Sequence, residues 1–238
     1  MVKKKKTAET SKTIATNVVN MLKKEFGDTS AFFLDDSENN TVLDVTDWVP
    51  TGSSLLDLVI SNRPYGGVPA GKIIEIYGLE STGKSMLGAH ILRETQKKGG
   101  IGVYIDNEHS SDSRFLQAIG VDIKNLIVGQ TNTIEECFEF LETMVNIVRE
   151  KDNNTLVTIV VDSIAGMPTK DELSGSFSVE GYGGSPKAKF LGLAMRRITG
   201  MISKQRICCV FINQLRDKLG CIHPETTEVV FRKLIKYL

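Results

Sequence analysis

The sequence has few of the features that mark a secreted, membrane-spanning or zinc-structured protein. Its 238 residues include only four cysteines and three histidines, and no two cysteines form a CxxC pair. Neither a disulfide framework nor a zinc site is therefore predicted. No apolar run approaches the ~20 residues that span a bilayer, and no apolar stretch of a signal peptide follows the lysine-rich start. We expect a cytoplasmic protein that makes no membrane contact.

An excess of charge of either sign is also absent. The chain has 29 Lys and Arg residues against 29 Asp and Glu residues, a formal net charge of zero. Binding to nucleic acid through an overall basic field is therefore excluded, and only a local patch remains open. The run Lys3–Lys6 is one such patch, although a charge run alone is more typical of a solvated tip. The 41% hydrophobic content suits one α/β domain with a small appendage.

The first 47 residues differ from the rest of the chain in their pattern of apolar and polar residues. Residues 1–8 are predicted to form a flexible tip. A helix follows and ends at Gly27, because apolar residues recur at helical spacing: Ile14, Val18, Leu22 and Phe26. Residues 28–48 are polar and turn-rich, which indicates a linker with a short extended segment at 31–34.

From Trp48 onward, short apolar runs alternate with helical patterns. The runs predicted as buried parallel strands are Lys72–Tyr77, Ile101–Ile105, Leu156–Val161 and Cys208–Ile212. One helix follows Lys84, and a second follows Thr133, which with Glu136 forms a plausible capping box. A third begins near Pro186, with Ala188, Leu191, Met195, Ile198 and Ile202 turned inward. This alternation predicts an α/β fold with a mostly parallel sheet flanked by helices.

The strongest motif is Gly78-Leu-Glu-Ser-Thr-Gly-Lys-Ser85, between a predicted strand and a predicted helix. Glycines let backbone N–H groups surround phosphate oxygens, and the helix N-terminus adds partial positive charge. Lys84 is expected to reach the β- and γ-phosphates, and Ser85 to hold Mg²⁺. The residues predicted to bind ATP here are Gly78, Glu80, Ser81, Thr82, Gly83, Lys84 and Ser85.

Three further motifs follow apolar runs. Asp162 is the last residue of one apolar run, and its carboxylate is expected to orient the ligand shell of Mg²⁺. An Asp at the end of a strand, taken alone, is usually a turn residue. Glu108 lies just after another apolar run and is suited to position water and accept its proton. Gln214 ends the last run, where its amide can touch the γ-phosphate or merely cap local backbone.

Together these residues carry a resemblance to a known family. Four segments, in the family's order, closely resemble the RecA recombinases: Trp48–Ser85, YIDNEHSSD, IVVDSIAGM and FINQLRDKLG. The resemblance covers most of Trp48–Gly220 and implies a RecA-type P-loop ATPase core. It further implies ATP and Mg²⁺ as ligands, and single- and double-stranded DNA as partners. Self-association into a helical filament is implied as well.

The resemblance also assigns residues around the nucleotide. Glu108 matches the catalytic glutamate that activates water, and acts with Lys84. Asp112 and Phe115 match positions that contact adenine; the family often has tyrosine at the latter, and a phenylalanine ring can still stack. Gln214 matches the residue that couples the γ-phosphate to DNA affinity.

Two DNA-binding loops are implied. Leu173–Pro186 corresponds to the first, and its candidate contacts are Gly181, Gly183 and Gly184. The second begins after Gln214, where Arg216 and Lys218 are placed to meet phosphates.

The predicted organisation has three parts: an N-terminal polymerisation arm at 1–47, an incomplete ATPase core at 48–220 and a divergent tail at 221–238. The C-terminal part of the core is expected to be missing. Two explanations stay open. In one, the chain is a truncated gene product or fragment, and residues 224–227 are family sequence after a deletion. In the other, Cys221 is the splicing nucleophile of a half-intein, with Glu225 and Thr226 nearby, and a complementary C-terminal chain is needed.

The resemblance implies a DNA-dependent ATPase that promotes homologous pairing and strand exchange in recombination and repair. One alternative is a RecA-fold helicase or another nucleotide motor. The loop at 178–184 and the run at 213–216 argue against it. The other alternative is an inactive precursor half that requires trans-splicing.

Overall fold

The computed structural model describes most of the chain. The described residues are 2–28, 30–33, 45, 47–107, 112–152, 154–164, 166–174, 186–203, 205–214, 216–217 and 227–228. The chain divides into two compact units, Met1–Asp44 and Val45–Leu238. The predicted boundaries at 47/48 and 220/221 stay predictions.

The first unit is dominated by helix α1, Val2–Phe26. The prediction of a flexible tip at 1–8 is wrong, because lysine and alanine favour helix strongly enough to extend it to Val2. Gly27 ends the helix as predicted: its φ of 98° is left-handed, and its N–H donates to the Lys23 carbonyl at 2.9 Å. Described residues 31–33 are part of no strand, and Leu34 lies outside the described residues, so the short extended segment expected at 31–34 stays a prediction.

The second unit is built on a parallel sheet of five strands in the order β3-β7-β6-β4-β5. Their bounds are β3 Ile73–Gly78, β4 Ile101–Asp106, β5 Leu126–Gly129, β6 Val157–Asp162 and β7 Ile207–Gln214. All four predicted strands are present, shifted by one or two residues. β5 was not predicted, because it is a short edge strand with Ile127 and Val128 exposed. Two small antiparallel pairs complete the strands: β1 Trp48–Val49 with β2 Val68–Pro69, and β8 Arg216–Asp217 with β9 Thr227–Glu228.

Six helices accompany the sheet in the described part of this unit. They are α2 Ser54–Ser61, α3 Lys84–Lys97, α4 Ser113–Ile119, α5 Ile134–Lys151, α6 Lys170–Ser174 and α7 Pro186–Ile202. Thr133 caps α5, its Oγ1 accepting from the Glu136 N–H at 3.2 Å, but Glu136 returns a bond to the Asn132 N–H rather than to Thr133. On α7, Ala188 is exposed rather than turned inward, whereas the other four predicted residues are buried.

The core lies on both faces of the sheet, which confirms the predicted α/β class with flanking helices. One buried cluster joins α5 and α7 to the sheet through Leu141, Met195 and Phe211. The other joins α3 to the opposite face through Ile91 and Val160. Alternate residues of β4 divide between the clusters, as successive side chains of a strand must. No helix in the described part of the chain is long and apolar enough to cross a membrane.

Two polar contacts lie at the amino ends of the strands, and the first of them anchors the start of this unit. The Asp47 carboxylate accepts from Lys98 Nζ at 2.6 Å and from Arg206 Nη2 at 2.6 Å, just after α3 and just before β7. The buried hydroxyls of Thr95 on α3 and Thr158 on β6 share a hydrogen bond of 2.6 Å. Both contacts lie at the end of the sheet opposite the loop after β3.

Candidate nucleotide-binding site

The carboxyl ends of the parallel strands gather several of the predicted residues. Gly78 pairs in register with Gln214, and Asp162 pairs with Ile212 on one side and Asp106 on the other. Neighbouring strands lie about 4.8 Å apart and rise about 3.3 Å per residue, so Gly78 and Asp162, two strands and two register positions apart, are separated by about 12 Å. Ligands of open α/β sheets bind at this edge.

The loop between β3 and α3 has a backbone shaped for an anion. Ser81 and Gly83 are both left-handed, with φ of 58° and 88°. Gly83 is the N-cap of α3 and provides no side-chain cap, whereas Ser53, Asp112 and Thr133 cap α2, α4 and α5 through their side chains. The first N–H groups of α3 therefore lack a capping oxygen, which an anion can supply together with a favourable interaction with the helix dipole.

The loop is closed by two bonds to one carbonyl. Lys84 Nζ donates to the Leu79 oxygen at 2.7 Å, and Thr82 Oγ1 donates to the same oxygen at 2.8 Å. A Cβ on Gly78 would lie 3.0 Å from Thr82 Oγ1, so a side chain there would press on this closure. Glu80, Ser81 and Thr82 are exposed, and Gly83, Lys84 and Ser85 are half-buried, which leaves the loop open to a ligand.

Asp162 is 2% exposed at the end of β6 and is fixed by Tyr104, a residue that was not predicted to belong to the site. The Tyr104 hydroxyl donates to Asp162 Oδ2 at 2.8 Å, and the Asp162 carbonyl accepts from the Asn107 N–H at 2.8 Å. The signal in the sequence was a tyrosine within an apolar strand. Beside it, the Ser163 hydroxyl is buried without a hydrogen-bond partner.

Gln214 is half-buried, and its backbone is held by the preceding residue. The Gln214 N–H donates to Asn213 Oδ1 at 3.0 Å. Asn213 is 1% exposed, and its Nδ2 donates to Glu75 Oε1 on β3 at 2.9 Å. Burial raises the pKa of Glu75, and the hydrogen bond from Asn213 partly opposes that rise. Glu75 was also missed, although an acid among isoleucines was visible in the sequence.

The two residues predicted to contact adenine lie at the start of α4. Asp112 is its N-cap, with Oδ1 accepting from the Arg114 N–H at 2.9 Å. The Phe115 ring is 42% exposed and is therefore accessible for stacking. α4 packs beside α3, because Leu116 and Ala89 belong to one buried cluster. The adenine contact itself stays a prediction.

Several predicted residues lie outside the described part of the chain: Glu108, Gly181, Gly183, Gly184, Lys218 and Cys221. Of the segment Leu173–Pro186, only the end of α6 and the start of α7 are described. Arg216 is described through its backbone alone, which pairs with Glu228 in the β8–β9 ladder.

The donor set fits Mg²⁺ better than a transition metal. The described residues include no group of three or more His, Cys, Asp or Glu able to hold a metal ion. Mg²⁺ commonly keeps several waters and needs only one or two carboxylates besides substrate phosphates. Cys137 and Cys208 are buried, and burial raises the pKa of each thiol to about 12, so neither supplies a thiolate.

Comparison with known proteins decides the family. The family model described as RecA N-terminal domain matches residues 12–236. The chain belongs to the RecA family. It is 37% identical over 211 residues to Protein RecA of Heliobacterium modesticaldum, covering 88% of this chain and 57% of that protein. It is 38% identical over 222 residues to Protein RecA of Ruminococcus albus, covering 92% and 52%, respectively. It is 42% identical over 183 residues to Protein RecA of Mesoplasma florum, covering 76% of this chain and 52% of that protein.

The RecA-family chain spans about half the length of these curated relatives. The family match begins within α1 and continues past Cys221, so it includes most of the arm and of the tail beyond the motifs. It therefore gives no support to the complementary C-terminal chain that a half-intein beginning at Cys221 would need. The intein hypothesis falls on residues outside the described structure and stays a prediction.

Proposed function

We propose that this chain carries the ATP-hydrolysing and DNA-binding part of a strand-exchange recombinase. In this proposal it coats single-stranded DNA as a cytoplasmic filament and pairs that strand with homologous duplex DNA. Family membership supports the class of protein. The observation that carries the proposal is the meeting of Gly78, Asp162 and Gln214 at one edge of one parallel sheet.

Nucleotide binding is assigned to the loop after β3. Backbone N–H groups of Gly78–Ser85 and the uncapped start of α3 are suited to phosphate oxygens, and Lys84 Nζ exchanges the Leu79 carbonyl for a phosphate. Ser85 and Asp162 are assigned to Mg²⁺, which when bound neutralises phosphate charge. Tyr104 keeps the Asp162 carboxylate turned to one orientation. Asp112 and Phe115 are assigned to the adenine.

Hydrolysis is assigned to Glu108, which directly follows Asn107 in the sequence. A carboxylate there can hold a water molecule for in-line attack on the γ-phosphorus and accept its proton, while the bond to the leaving ADP oxygen breaks. Gln214 is assigned the role of reporting the γ-phosphate to the segment that follows β7. ATP then favours tight DNA binding, and hydrolysis releases the strand.

DNA contact is assigned to two segments of the chain. The first is Leu173–Pro186 with Gly181, Gly183 and Gly184; the second contains Arg216 and Lys218. Glycines let the backbone approach a phosphate closely, and each cation that meets a phosphate adds to the salt dependence of binding.

Self-association is assigned to α1 of one copy and a groove on the next. α1 exposes an apolar stripe that includes Ile14, Val18 and Phe26, and it carries lysines along its length. The groove lies between α5 and α7 and has apolar walls, with a rim of three glutamates and Arg197, which pairs with Glu142. Its lining includes Phe190 and Leu193 together with Glu135, Glu139 and Glu142.

The proposal is tested on the whole chain by fluorescence binding of an ATP analogue with Mg²⁺, followed by ATPase assays with and without single-stranded DNA. We expect nucleotide binding that ADP and ATP both compete for, and hydrolysis that rises when single-stranded DNA is added. Binding of nucleotide with no response to any DNA would remove the recombinase assignment and leave a general nucleotide-binding chain. Absence of nucleotide binding would remove the site itself.

A further inference from the structure

Asn213 makes two hydrogen bonds that join the strand before the phosphate loop to the strand before Gln214. Its Nδ2 donates to Glu75 Oε1 at 2.9 Å, and its Oδ1 accepts from the Gln214 N–H at 3.0 Å. Asn213 pairs in register with Tyr77, so Glu75 is its diagonal neighbour on β3. Diagonal residues of adjacent strands lie within reach of long side chains.

Packing alone does not explain why a glutamate and an asparagine occupy positions 75 and 213. Glu75 lies between Ile74 and Ile76 in an otherwise apolar strand, and Asn213 is the penultimate residue of β7, after six buried residues that are mostly apolar. Apolar side chains at both positions would fill the same space without burying polar atoms. Each of the two side chains instead satisfies the other: burial raises the pKa of Glu75, and Asn213 supplies a donor to its carboxylate.

The hydrogen bond from the Gln214 N–H to Asn213 is the contact that links the Glu75–Asn213 pair to the candidate site. Gln214 pairs with Gly78, where the phosphate loop begins, so its backbone N–H lies at the junction of the two strands. A bond from that N–H to a buried amide restricts the rotation of the Gln214 backbone and hence the direction of its side chain. β3 and β7 are tied at the point where one leads into the phosphate loop and the other leads out to Arg216.

We propose that Glu75 and Asn213 are a positioning pair, which holds Gln214 at the phosphate loop and makes the ends of β3 and β7 respond together to nucleotide. The inference rests on the proposed ATP site. Neither residue is assigned a contact with nucleotide. Glu75 and Asn213 both act through the Gln214 backbone. A displacement of the phosphate loop is transmitted through these two residues to the segment after β7.

Hydrogen exchange of the full chain tests the pair, with peptides covering 212–216 measured with and without an ATP analogue and Mg²⁺. Glu75→Val removes the acceptor and keeps strand propensity, Glu75→Gln keeps an acceptor oxygen without the charge, and Asn213→Ser breaks the pair from the other side. Thr158→Val is the matched control, because it removes a buried hydrogen bond at the opposite end of the sheet.

In the wild type and Glu75→Gln we expect slow exchange at Gln214 and further slowing with nucleotide. In Glu75→Val and Asn213→Ser, exchange should rise about 10-fold without nucleotide, and the response to nucleotide should be lost. Nucleotide affinity in the same variants should change less than about 3-fold, which separates a positioning role from a general loss of structure. The control should lose thermal stability and keep the wild-type exchange pattern at 212–216.

Unchanged exchange at Gln214 in both Glu75→Val and Asn213→Ser, measured without nucleotide, would overturn the pair. An equal nucleotide response in the wild type and both variants would do the same. If the wild type binds no nucleotide, the proposed ATP site fails, while the nucleotide-free rates still decide whether the pair holds Gln214. If Glu75→Val does not fold, Asn213→Ser and Glu75→Gln carry the comparison.

Discussion

Gly78 and Gln214 face each other across two neighbouring parallel strands, at the edge where both strands end. The first begins the phosphate loop, and the second precedes the segment with Arg216. The two residues are far apart in the chain, yet one step of the sheet separates them. Under the proposed function, this proximity would allow a change at a bound phosphate to reach the proposed DNA-binding segment without a long path.

Lys84→Ala should weaken binding of an ATP analogue by about 100-fold, because a charge-assisted hydrogen bond to phosphate is lost. Fluorescence titration with Mg²⁺ measures the change. Lys97→Ala is the matched control: this lysine lies in the last turn of the same helix and pairs with Glu94. Equal affinities for the wild type and Lys84→Ala would refute the phosphate-loop assignment.

Glu108→Gln should leave ATP binding nearly intact and slow hydrolysis by about 100-fold or more, because glutamine cannot accept the proton of water. Single-turnover hydrolysis, with binding measured in parallel, separates the two effects. Glu150→Gln, at an exposed position near the end of α5, is the control. Hydrolysis at the wild-type rate would remove Glu108 from the chemistry.

Tyr104→Phe should raise the Mg²⁺ concentration that half-saturates nucleotide binding or hydrolysis. The substitution deletes only the hydroxyl that orients Asp162, at a cost of about 1 kcal/mol in the free energy of unfolding. A Mg²⁺ titration at saturating nucleotide checks the shift, and urea unfolding checks stability. An identical Mg²⁺ dependence in the two proteins would show that Asp162 needs no such support.

Asp47→Asn should lower the free energy of unfolding at pH 7 by about 2 kcal/mol, because hydrogen bonds to two cations are weakened. Burial acts to raise the pKa of Asp47, but the bonds from Lys98 and Arg206 outweigh it, and the net pKa is lowered. A lowered native pKa means that this stabilisation is present above the unfolded value near 4 and is lost as the pH falls below it.

Urea unfolding between pH 7 and pH 2 checks that prediction. The wild type should lose stability through the acidic range more steeply than Asp47→Asn, and the two curves should converge at the lowest pH. Asp171→Asn, at an exposed position on α6, serves as the control. Parallel curves for the wild type and Asp47→Asn would contradict the assignment.

Cys137, Cys208 and Cys209 should resist alkylation in the native chain. All three are buried, and burial raises the pKa of Cys137 and Cys208 to about 12, so about one thiol in 10⁴ is ionised at pH 8. Mass spectrometry after iodoacetamide treatment checks this on Cys221→Ser, which removes the fourth thiol. Labelling should appear only on unfolding; labelling at the rate of a free thiol in the native chain would show that the core opens.

Local features of this chain follow from short stretches of sequence. The apolar runs at 101–105 and 208–212 predict strands, because a strand buried on both faces has no polar side. The N-cap at Thr133 and the helix end at Gly27 follow from the backbone preferences of single residues. The phosphate loop is equally local, since all its groups lie between Gly78 and Ser85. Propensity also explains the error at the start of α1, where lysines continue the helix.

Tertiary structure alone decided which of these pieces meet. A hydrophobic pattern marks a strand without naming its neighbours, so it does not say that β7 lies between β3 and β6. The bonds from Tyr104 to Asp162 and from Asn213 to Glu75 join strands distant in the chain, and both were invisible to periodicity. The sequence by itself therefore determined the family motifs and most of the local elements. The order of the strands determined which side chains share an edge, because a polar group meets its partner only after the strands have paired.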